Sequence, residues 1–330
     1  VAIHEQGDQH MTTTRTRALA TSALVIFGAT TAAPAADMVL GVPNWPAANA
    51  TSNILKVVIE ENFGLEVELQ NGTNPIIFEA MDSGSMHLHP EVWLPNQENL
   101  HNKYVQEEAS VVMNENPVQA EQGMCVTRHT AETYDITSIN DLTDPDKMAI
   151  FDKDGNGTPE VWIGAPGWAS TVIEKIRAKS YGYDQTMDLR EYDGTVAWGE
   201  LGTAANNDEP WMGFCYEPHF IFVAYDLVYL DEPEHDPDTW TIVQPTDDPA
   251  WLEKSEASTA WKGATLHLHY AASVRENFPE VADMLDAYEM PPEVLSEAGY
   301  ALSVQGTDVE EFARTWVAEN EDVVIGWLTN

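Results

Sequence analysis

From residue 37 onward the sequence alternates short apolar runs with segments whose apolar residues recur at helical spacing. Short apolar runs bounded by polar residues are typical of strands, and apolar residues at i, i+3 and i+4 are typical of one face of a helix. The predicted strands are 38–42, 65–69, 148–152, 188–192, 211–217 and 264–272, and helices are predicted over 48–62 and 75–82, from near 169 and 195, and around 278–288 and 309–316. This alternation predicts an α/β fold.

The length of 330 residues predicts two packed lobes rather than one small core. In the simplest arrangement the chain crosses between the lobes twice, near residues 110–125 and 255–265. This arrangement assigns residues 37–118 together with 262–330 to the first lobe and residues 119–261 to the second. Small ligands commonly bind in clefts, so we expect the ligand site between the lobes.

Residues 1–36 are predicted to be a leader that contains a signal peptide. Arg15 and Arg17 precede an apolar stretch rich in Ala and Thr, which closes with the small residues Ala33-Pro34-Ala35. This layout is typical of a cleaved secretory signal, and the alternative is a membrane anchor. The apolar stretch is short for an anchor, so we expect the mature chain to be exported to the periplasm.

The charge of the chain excludes one class of partner. Lys and Arg number 15 against 55 Asp and Glu, which gives a formal net charge of -40. Such a protein repels phosphate backbones and attracts cations. We therefore expect no nucleic-acid partner and favour a cationic ligand.

The chain has only two cysteines, Cys125 and Cys215, which lie 90 residues apart. In an oxidising compartment two cysteines can form one disulfide. Spacing alone does not decide between a disulfide and two buried free thiols, so both alternatives stay open.

Aromatic residues beside Pro or Gly, at the ends of predicted strands, are the most informative feature for function. Ligands bind beyond the carboxyl ends of strands in open α/β sheets, so rings gathered there predict an aromatic cage. The alternative is ordinary packing, which we assume for the other seven of the eleven tryptophans. The predicted cage residues are Trp45, Trp93, Trp168, and Trp211 or Tyr216.

A cage of this kind suits a trimethylammonium group. That group carries a fixed positive charge and has no N–H donor, so a carboxylate cannot hydrogen-bond it, whereas ring faces attract it. Backbone N–H groups at the start of the helix after Trp168 could hold a carboxylate at the other end of the ligand. The sequence therefore predicts a binding site for a small trimethylammonium osmolyte.

Three segments of the chain resemble a known family. They are 41–96, beginning GVPNWPAAN, 151–168, FDKDGNGTPEVWIGAPGW, and 213–220, GFCYEPHF. They resemble the periplasmic glycine betaine/proline betaine binding proteins of ABC importers, and more closely the trimethylamine N-oxide binders within that group. The resemblance covers essentially the whole mature chain.

This resemblance implies a type II periplasmic binding protein that is a monomer, is not an enzyme, and delivers its ligand to the permease subunits of an ABC transporter. The family's tryptophan box falls on Trp93 and Trp168, and its third wall falls on Tyr216. Members commonly carry Trp at that third position, so Trp211 is the alternative wall. Trp45 resembles an extra wall of a tighter cage.

Glu121 is the predicted polar end of the site. It lies near the first crossover, and a carboxyl group that shares a proton would suit an N-oxide oxygen and repel the carboxylate of betaine. We therefore rank trimethylamine N-oxide ahead of glycine betaine. Alternatively, Glu121 is an ordinary solvated glutamate.

The segment DKDGNGTPE at 152–160 resembles a calcium loop. Acidic and amide side chains alternate along it and a glycine occupies the sixth position, but the twelfth position is Ile163 and lacks the bidentate glutamate. We expect a structural Ca²⁺, with a solvated turn as the alternative. The predicted ligands are Asp152, Asp154, Asn156, Thr158 and Glu160.

Two His-x-His pairs raise a different hypothesis, a zinc-dependent hydrolase. The pairs are His87 with His89 and His267 with His269. Residues two apart on a strand share a face and could grip zinc. No His-Glu-x-x-His motif accompanies them, so we keep the hydrolase only as the alternative to a binding protein.

Overall fold

The computed structural model describes Val1 and residues 36–329. The predicted leader therefore lies outside the described residues, except for Val1 and Ala36, and its signal peptide stays a prediction. Within the described part of the chain, no helix is both long and apolar enough to cross a bilayer.

One mixed sheet organises the fold. Within residues 36–329, ten strands join it in the order β2-β1-β3-β12-β5-β8-β6-β7, with β4 beside β12 and β9 beside β5. Strands β10 and β11 form a separate small ribbon. The strands are β1 Met38–Val42, β2 Val67–Asn71, β3 Leu88–Leu94, β4 Val111–Met113, β5 Val118–Thr127, β6 Glu160–Trp162, β7 Asp188–Arg190, β8 Met212–Glu217, β9 Leu227–Tyr229, β10 Trp240–Thr241, β11 Glu256–Ala257 and β12 Ala264–Ala271.

Strand β5 links the two halves of the sheet because it changes partners along its length. Its first residues, 118–120, pair antiparallel with β12, and its later residues, 121–126, pair antiparallel with β8. Beyond β12, strands β1 and β2 pair in parallel, as do β6 and β7 beyond β8. The first predicted crossover, 110–125, overlaps this exchange of partners. The predicted lobe boundaries themselves stay a prediction.

Helices cover the sheet and contribute to its core. The helices are α1 Pro46–Phe63, α2 Asn74–Asp82, α3 Glu98–His101, α4 Arg128–Tyr134, α5 Pro145–Met148, α6 Ala169–Tyr181, α7 Gly194–Asn207, α8 Ile221–Ala224, α9 Trp251–Lys254, α10 Ser273–Asn277, α11 Pro279–Ala287, α12 Pro292–Tyr300, α13 Val309–Glu319 and α14 Glu321–Leu328. Short 3-10 and π turns connect several of them.

Helix α1 shows how local sequence sets these elements. Pro46 opens it, where proline's missing N–H costs nothing, and Gly64 ends it in the left-handed region at φ 68°. Ile54, Val57 and Val58 are buried, and the helix lies against β1, β3, α12 and α13. The predicted helix at 48–62 is confirmed with slightly wider bounds.

Most predicted elements are confirmed, and one is wrong. The predicted strand at 148–152 is instead the end of α5 followed by a 3-10 turn, Ala149–Phe151. Asp144 caps α5 by accepting the N–H groups of Asp146 and Lys147, and Pro145 occupies its first turn. A short apolar run alone does not separate a strand from a buried helical turn. The capping residues Asp144 and Pro145, directly before the apolar run, distinguish a helical turn from a strand here.

The two cysteines form a disulfide between β5 and β8. Cys125 and Cys215 are both fully buried, and their Cα atoms lie 5.8 Å apart. The alternative of two free thiols is therefore wrong. The bond closes a loop of 90 residues across the paired strands.

We expect reduction of this disulfide to destabilise the fold. A cross-link that closes a long loop lowers the entropy of the unfolded chain, which is typically worth about 2–4 kcal/mol. Urea denaturation of the full chain with and without reductant measures the change. The variant with both Cys125→Ala and Cys215→Ala is the control, since its midpoint should not respond to reductant. Equal midpoints for the oxidised and reduced native chain would contradict the expectation.

Candidate functional site

A small cavity opens among the aromatic side chains at the junction of the two halves of the sheet. It encloses about 370 Å³ of space not filled by protein atoms, which includes the part open to solvent. The residues that line it are Trp45, Asn74, Trp93, Asn96, Gln97, Gln122, Trp168, Ala169, Ser170, Phe214 and Tyr216.

Four of the predicted cage residues meet in this cavity. Trp45 precedes the first turn of α1, Trp93 lies in β3, Trp168 precedes the first turn of α6, and Tyr216 lies in β8. All four side chains are at least nine-tenths buried. Residues from distant parts of the chain thus form one aromatic wall.

The rings pack edge to face around Tyr216. Its centroid lies 5.3 Å from that of Trp93 and 5.7 Å from that of Trp168, with interplanar angles of 83° and 82°. Strands β3 and β8 are three steps apart in the sheet order, which in a flat sheet would separate them by about 14 Å. The sheet therefore curls at the β12–β5 junction and brings the rings together.

A turn rich in glycine positions Trp168. Gly164 and Gly167 have φ of +127° and +87°, a region that residues with a Cβ rarely adopt. A Cβ at Gly164 would also collide with the hydroxyl of Thr171, which donates to the carbonyl of Ala165. The sequence IGAPGW therefore turns tightly from β6 into α6 and directs Trp168 toward the cavity.

The polar lining of the cavity is neutral. Asn96 and Gln122 donate to each other's side-chain oxygens at 2.8 and 2.7 Å. The side-chain oxygen of Gln97 and the indole N–H of Trp168 are buried and have no hydrogen-bond partner in the described part of the chain. Among the described residues that line the cavity, none is charged. The lining therefore offers unpartnered polar groups to a ligand, and it includes no basic side chain.

Glu91 lies directly behind the aromatic wall, and sequence reasoning missed it. Its carboxylate accepts the indole N–H of Trp45 at 2.7 Å and the hydroxyl of Thr51 at 2.8 Å, and the residue is 3% exposed. Burial raises the pKa of Glu91 to about 7, although these two hydrogen bonds oppose the rise. The sequence feature that could have identified Glu91 is a single acidic residue within the mostly apolar strand LHPEVWL.

The structure corrects the predicted role of Glu121. Its side chain is exposed and lies beside Glu217, in a separate surface depression. Successive residues of a strand point to opposite faces, and the next residue, Gln122, is the one that reaches the cavity. Glu121 therefore lies outside the cavity, although its neighbour Gln122 lines it.

Trp211 also lies outside the cavity. It precedes β8 and is five residues from Tyr216, which corresponds to about 17 Å along an extended strand. Its ring packs against Trp198, with 6.4 Å between their centroids. Of the two alternatives for the fourth wall, Tyr216 is the one that lines the cavity.

Comparison with known proteins places the chain in a family. Residues 36–319 match the family described as the substrate binding domain of the ABC-type glycine betaine transport system. The chain belongs to this family. It is thus a member of a group of transport substrate-binding domains, which are not enzymes.

Individual relatives are distant. The chain is 25% identical over 118 residues to the glycine betaine/proline betaine-binding periplasmic protein of Salmonella typhimurium, a match that covers 34% of this chain and 36% of that protein. The match therefore spans about a third of the relative's length.

Solved structures share the fold of this substrate-binding domain. Lactococcal OpuAC, in its closed-liganded conformation with glycine betaine, superposes with a TM-score of 0.65 at 21% identity, covering 88% of this chain and 99% of that one. An ABC-transporter choline binding protein in complex with choline gives 0.68 at 18% identity, covering 88% and 91%. The predicted α/β periplasmic binding protein fold is confirmed.

The histidine pairs of this binding domain serve other contacts. His87 accepts the backbone N–H of Val39 through Nδ1, and the Nε2 of His89 bonds to the side-chain oxygen of Asn74. His267 bonds to a backbone carbonyl, and His269 bonds to His101. Within residues 36–329 no group of three or more His, Cys, Asp or Glu side chains is arranged to hold a metal. The alternative of a zinc-dependent hydrolase is wrong, because the family to which the chain belongs consists of transport substrate-binding domains.

The predicted calcium loop holds itself together with internal hydrogen bonds. The carboxylate of Asp152 accepts the N–H groups of Asn156 and Gly157. Asp154 accepts the N–H of Asn156, whose side chain accepts the N–H of Thr158, and Glu160 pairs with Arg190 at 2.6 Å. Calcium binding here stays a prediction.

If this loop binds calcium, millimolar Ca²⁺ should raise the melting temperature of the full chain. The same addition should have no effect on the Asp152→Asn variant, since calcium sites depend on carboxylate oxygens. Magnesium at the same concentration is the control. An unchanged melting temperature after exhaustive chelation and after calcium addition would contradict the prediction.

Glu91 should make stability depend on pH. Its pKa rises on folding from an ordinary 4.5 to about 7. The folded state therefore favours the protonated form, and this contribution to stability is present below about pH 4.5 and lost as pH rises through about 7. Relative to Glu91→Gln, the native chain should lose up to about 3 kcal/mol of unfolding free energy between about pH 5 and about pH 8. Parallel curves from urea denaturation of the two proteins would contradict this expectation.

Proposed function

We propose that this chain captures a small trimethylammonium compound in the aromatic cavity and delivers it to the permease of an ABC transporter, after export to the periplasm. The observation that carries the proposal is the meeting of Trp45, Trp93, Trp168 and Tyr216 in one small cavity with a neutral polar lining. In this proposal, residues 37–118 with 262–330 and residues 119–261 act as two lobes that close over the ligand.

The four aromatic rings alone do not supply enough binding free energy for micromolar affinity. Each ring face contributes roughly 0.5 to 2 kcal/mol to a bound cation, so four faces supply about 2 to 8 kcal/mol before the costs of binding. Micromolar affinity needs about 8.2 kcal/mol. The other end of the ligand must therefore be held as well. The groups that could hold it are the side chains of Gln122 and Asn96 and the first N–H groups of α6 beside Ala169 and Ser170.

The choice between ligands changes with the position of Glu121. The preference for the N-oxide depends on a carboxyl group at the polar end, and the residues that line the cavity include none. Amide groups and the N-terminus of α6 favour an anionic end, because the helix dipole is positive there. We therefore propose glycine betaine first and trimethylamine N-oxide next. The solved relatives with glycine betaine and with choline support the ligand class.

Removing one ring tests the cage. Trp168→Ala should weaken binding of glycine betaine by at least about 1 kcal/mol, because it removes one cation-π wall and the buried area of an indole. Titration calorimetry with glycine betaine, trimethylamine N-oxide, choline and carnitine side by side measures affinity and ranks the ligands. Trp168→Phe, which keeps an aromatic face, should lie between native and Ala.

Trp251→Ala is the matched control, since this tryptophan is half-buried in α9 and does not line the cavity. Its affinity should equal that of the native chain. Unchanged affinity in Trp168→Ala, or an equal loss in Trp251→Ala, would contradict the assignment of the cavity. Native chain that binds none of the four compounds would contradict the proposed function itself.

A further inference from the structure

Glu91 is an unusual group to find beside a cavity, because it is an acidic side chain buried without a basic partner. Within residues 36–329 no Lys, Arg or His side chain forms an ion pair with it. By contrast, the buried Glu174 pairs with Arg177 at 2.9 Å. Burying an unpaired carboxylate is costly, so a fold that retains one needs compensation from elsewhere.

The backbone of β3 directs Glu91 to this position. Val92 pairs with His267, and His89 pairs with His269, so the two residues between them on β3 oppose one residue of β12. This is a β-bulge, and it includes Pro90, which has no N–H to donate to the ladder. The N–H of Glu91 donates to the side chain of His89 at 3.3 Å. The ring of His89, two residues before Glu91, lies 6.3 Å from that of Trp45, and Trp93, two residues after it, lines the cavity. The alternation of β3 therefore places Glu91 on the face of Trp45, with the bulge beside it.

The carboxylate meets the cage through Trp45. One oxygen accepts the indole N–H of Trp45, and the other accepts the hydroxyl of Thr51 from α1. A negative charge at an indole N–H increases the electron density of the ring, and therefore the attraction of the ring face for a cation. The charge of Glu91 also acts across the cavity, since it raises the pKa of Tyr216, after the larger effect of burial.

We propose that Glu91 is the counter-charge of the bound cation and a positioning residue that acts on it through the indole of Trp45. This inference rests on the proposed function, because the ligand's quaternary ammonium supplies the positive charge that the protein lacks at this place. Glu91 would distinguish a cationic ligand from a neutral one of the same shape, which ring faces and buried area alone do less strongly.

The groups that face Glu91 do not supply this charge. His89, on the same strand, has its pKa lowered by burial to about 3 and is neutral. Tyr216 from β8 and Tyr288 after α11 also lie within the range of its field, and burial followed by the charge of Glu91 raises the pKa of both. Trp45 and Thr51 do not titrate. Glu91 is therefore the group whose charge should respond to the ligand near neutral pH.

Ligand binding and the ionisation of Glu91 are coupled, so the native chain itself should show a pH-dependent affinity. A bound cation favours the ionised form of Glu91 and lowers its pKa, so affinity should rise with pH through about 7 and level off above it. If the pKa falls by about one unit in the complex, the ionised form binds the ligand about tenfold more tightly than the protonated form. Binding at about pH 7 should then release protons.

The experiment compares glycine betaine with 3,3-dimethylbutanoate, in which a neutral carbon replaces the quaternary nitrogen. Calorimetry from about pH 6 to about pH 8.5, in two buffers of different ionisation enthalpy, gives affinity and proton release. For Glu91→Gln we expect about tenfold weaker binding of glycine betaine above pH 7, no proton release, and a smaller preference over 3,3-dimethylbutanoate. Gln keeps an oxygen that can accept from Trp45.

Glu217→Gln is the matched control. The pKa of Glu217 is raised by burial and then by Glu121, but this residue does not line the cavity or touch Trp45. Its pH profile should equal that of the native chain. The native measurement alone keeps the inference testable if Glu91→Gln does not fold.

Three results would overturn the inference while leaving the proposed function intact. They are native binding of glycine betaine without pH dependence or proton release, a pH profile that persists in Glu91→Gln, and an equal loss of affinity for both ligands in that variant, which indicates only a structural role. Native chain that binds neither glycine betaine, choline nor trimethylamine N-oxide would overturn the proposed function and this inference with it.

Discussion

The change of partners along β5 is the constraint on which the site depends. Residues 118–120 hydrogen-bond to β12 and residues 121–126 to β8, so one strand belongs to both halves of the sheet. The sheet curls there, and side chains from β3 and β8 meet although two strands separate them in the sheet order. The Cys125–Cys215 bond fixes the same pairing covalently. Without this junction the aromatic residues would lie on separate surfaces.

Sequence reasoning found the residues of the site that stand at element boundaries. Trp168 follows a turn rich in glycine, and Trp45 precedes Pro46. In the structure both tryptophans lie directly before a helix, as these local patterns predict. Residues inside strands were harder to place, because their direction depends on register. Glu121 and Gln122 are adjacent, but only the second reaches the cavity. The sequence alone does not specify which of the two points inward.

Glu91 was missed for a related reason. In the sequence it is one acidic residue among 55, and nothing marks it as buried except its apolar neighbours. Its burial comes from contacts with Trp45 and Thr51 and from the pairing of β3 with β12, strands separated by some 170 positions along the chain. Long-range pairing of this kind leaves no local pattern. The fold as a class was predictable because helix and strand periodicity are local.

The many surface carboxylates and the buried, unpaired Glu91 act differently on a cation. The net charge of -40 attracts cations in general, but salt screens such fields over about 10 Å. Buried groups are screened far less. In the proposed site, selectivity would therefore depend on the rings and on Glu91, and the general attraction of the surface charge would be a separate effect.

The most direct test of the central claim follows the individual tryptophans during ligand binding. In ¹⁹F NMR of the chain labelled with 5-fluorotryptophan, each of the eleven tryptophans gives its own resonance, and single Trp→Phe variants assign them. Addition of glycine betaine should shift the resonances of Trp45, Trp93 and Trp168 most strongly. The account would be contradicted if saturating ligand left these three unchanged or if the largest shifts came from Trp316 and Trp327, which stack on each other away from the cavity.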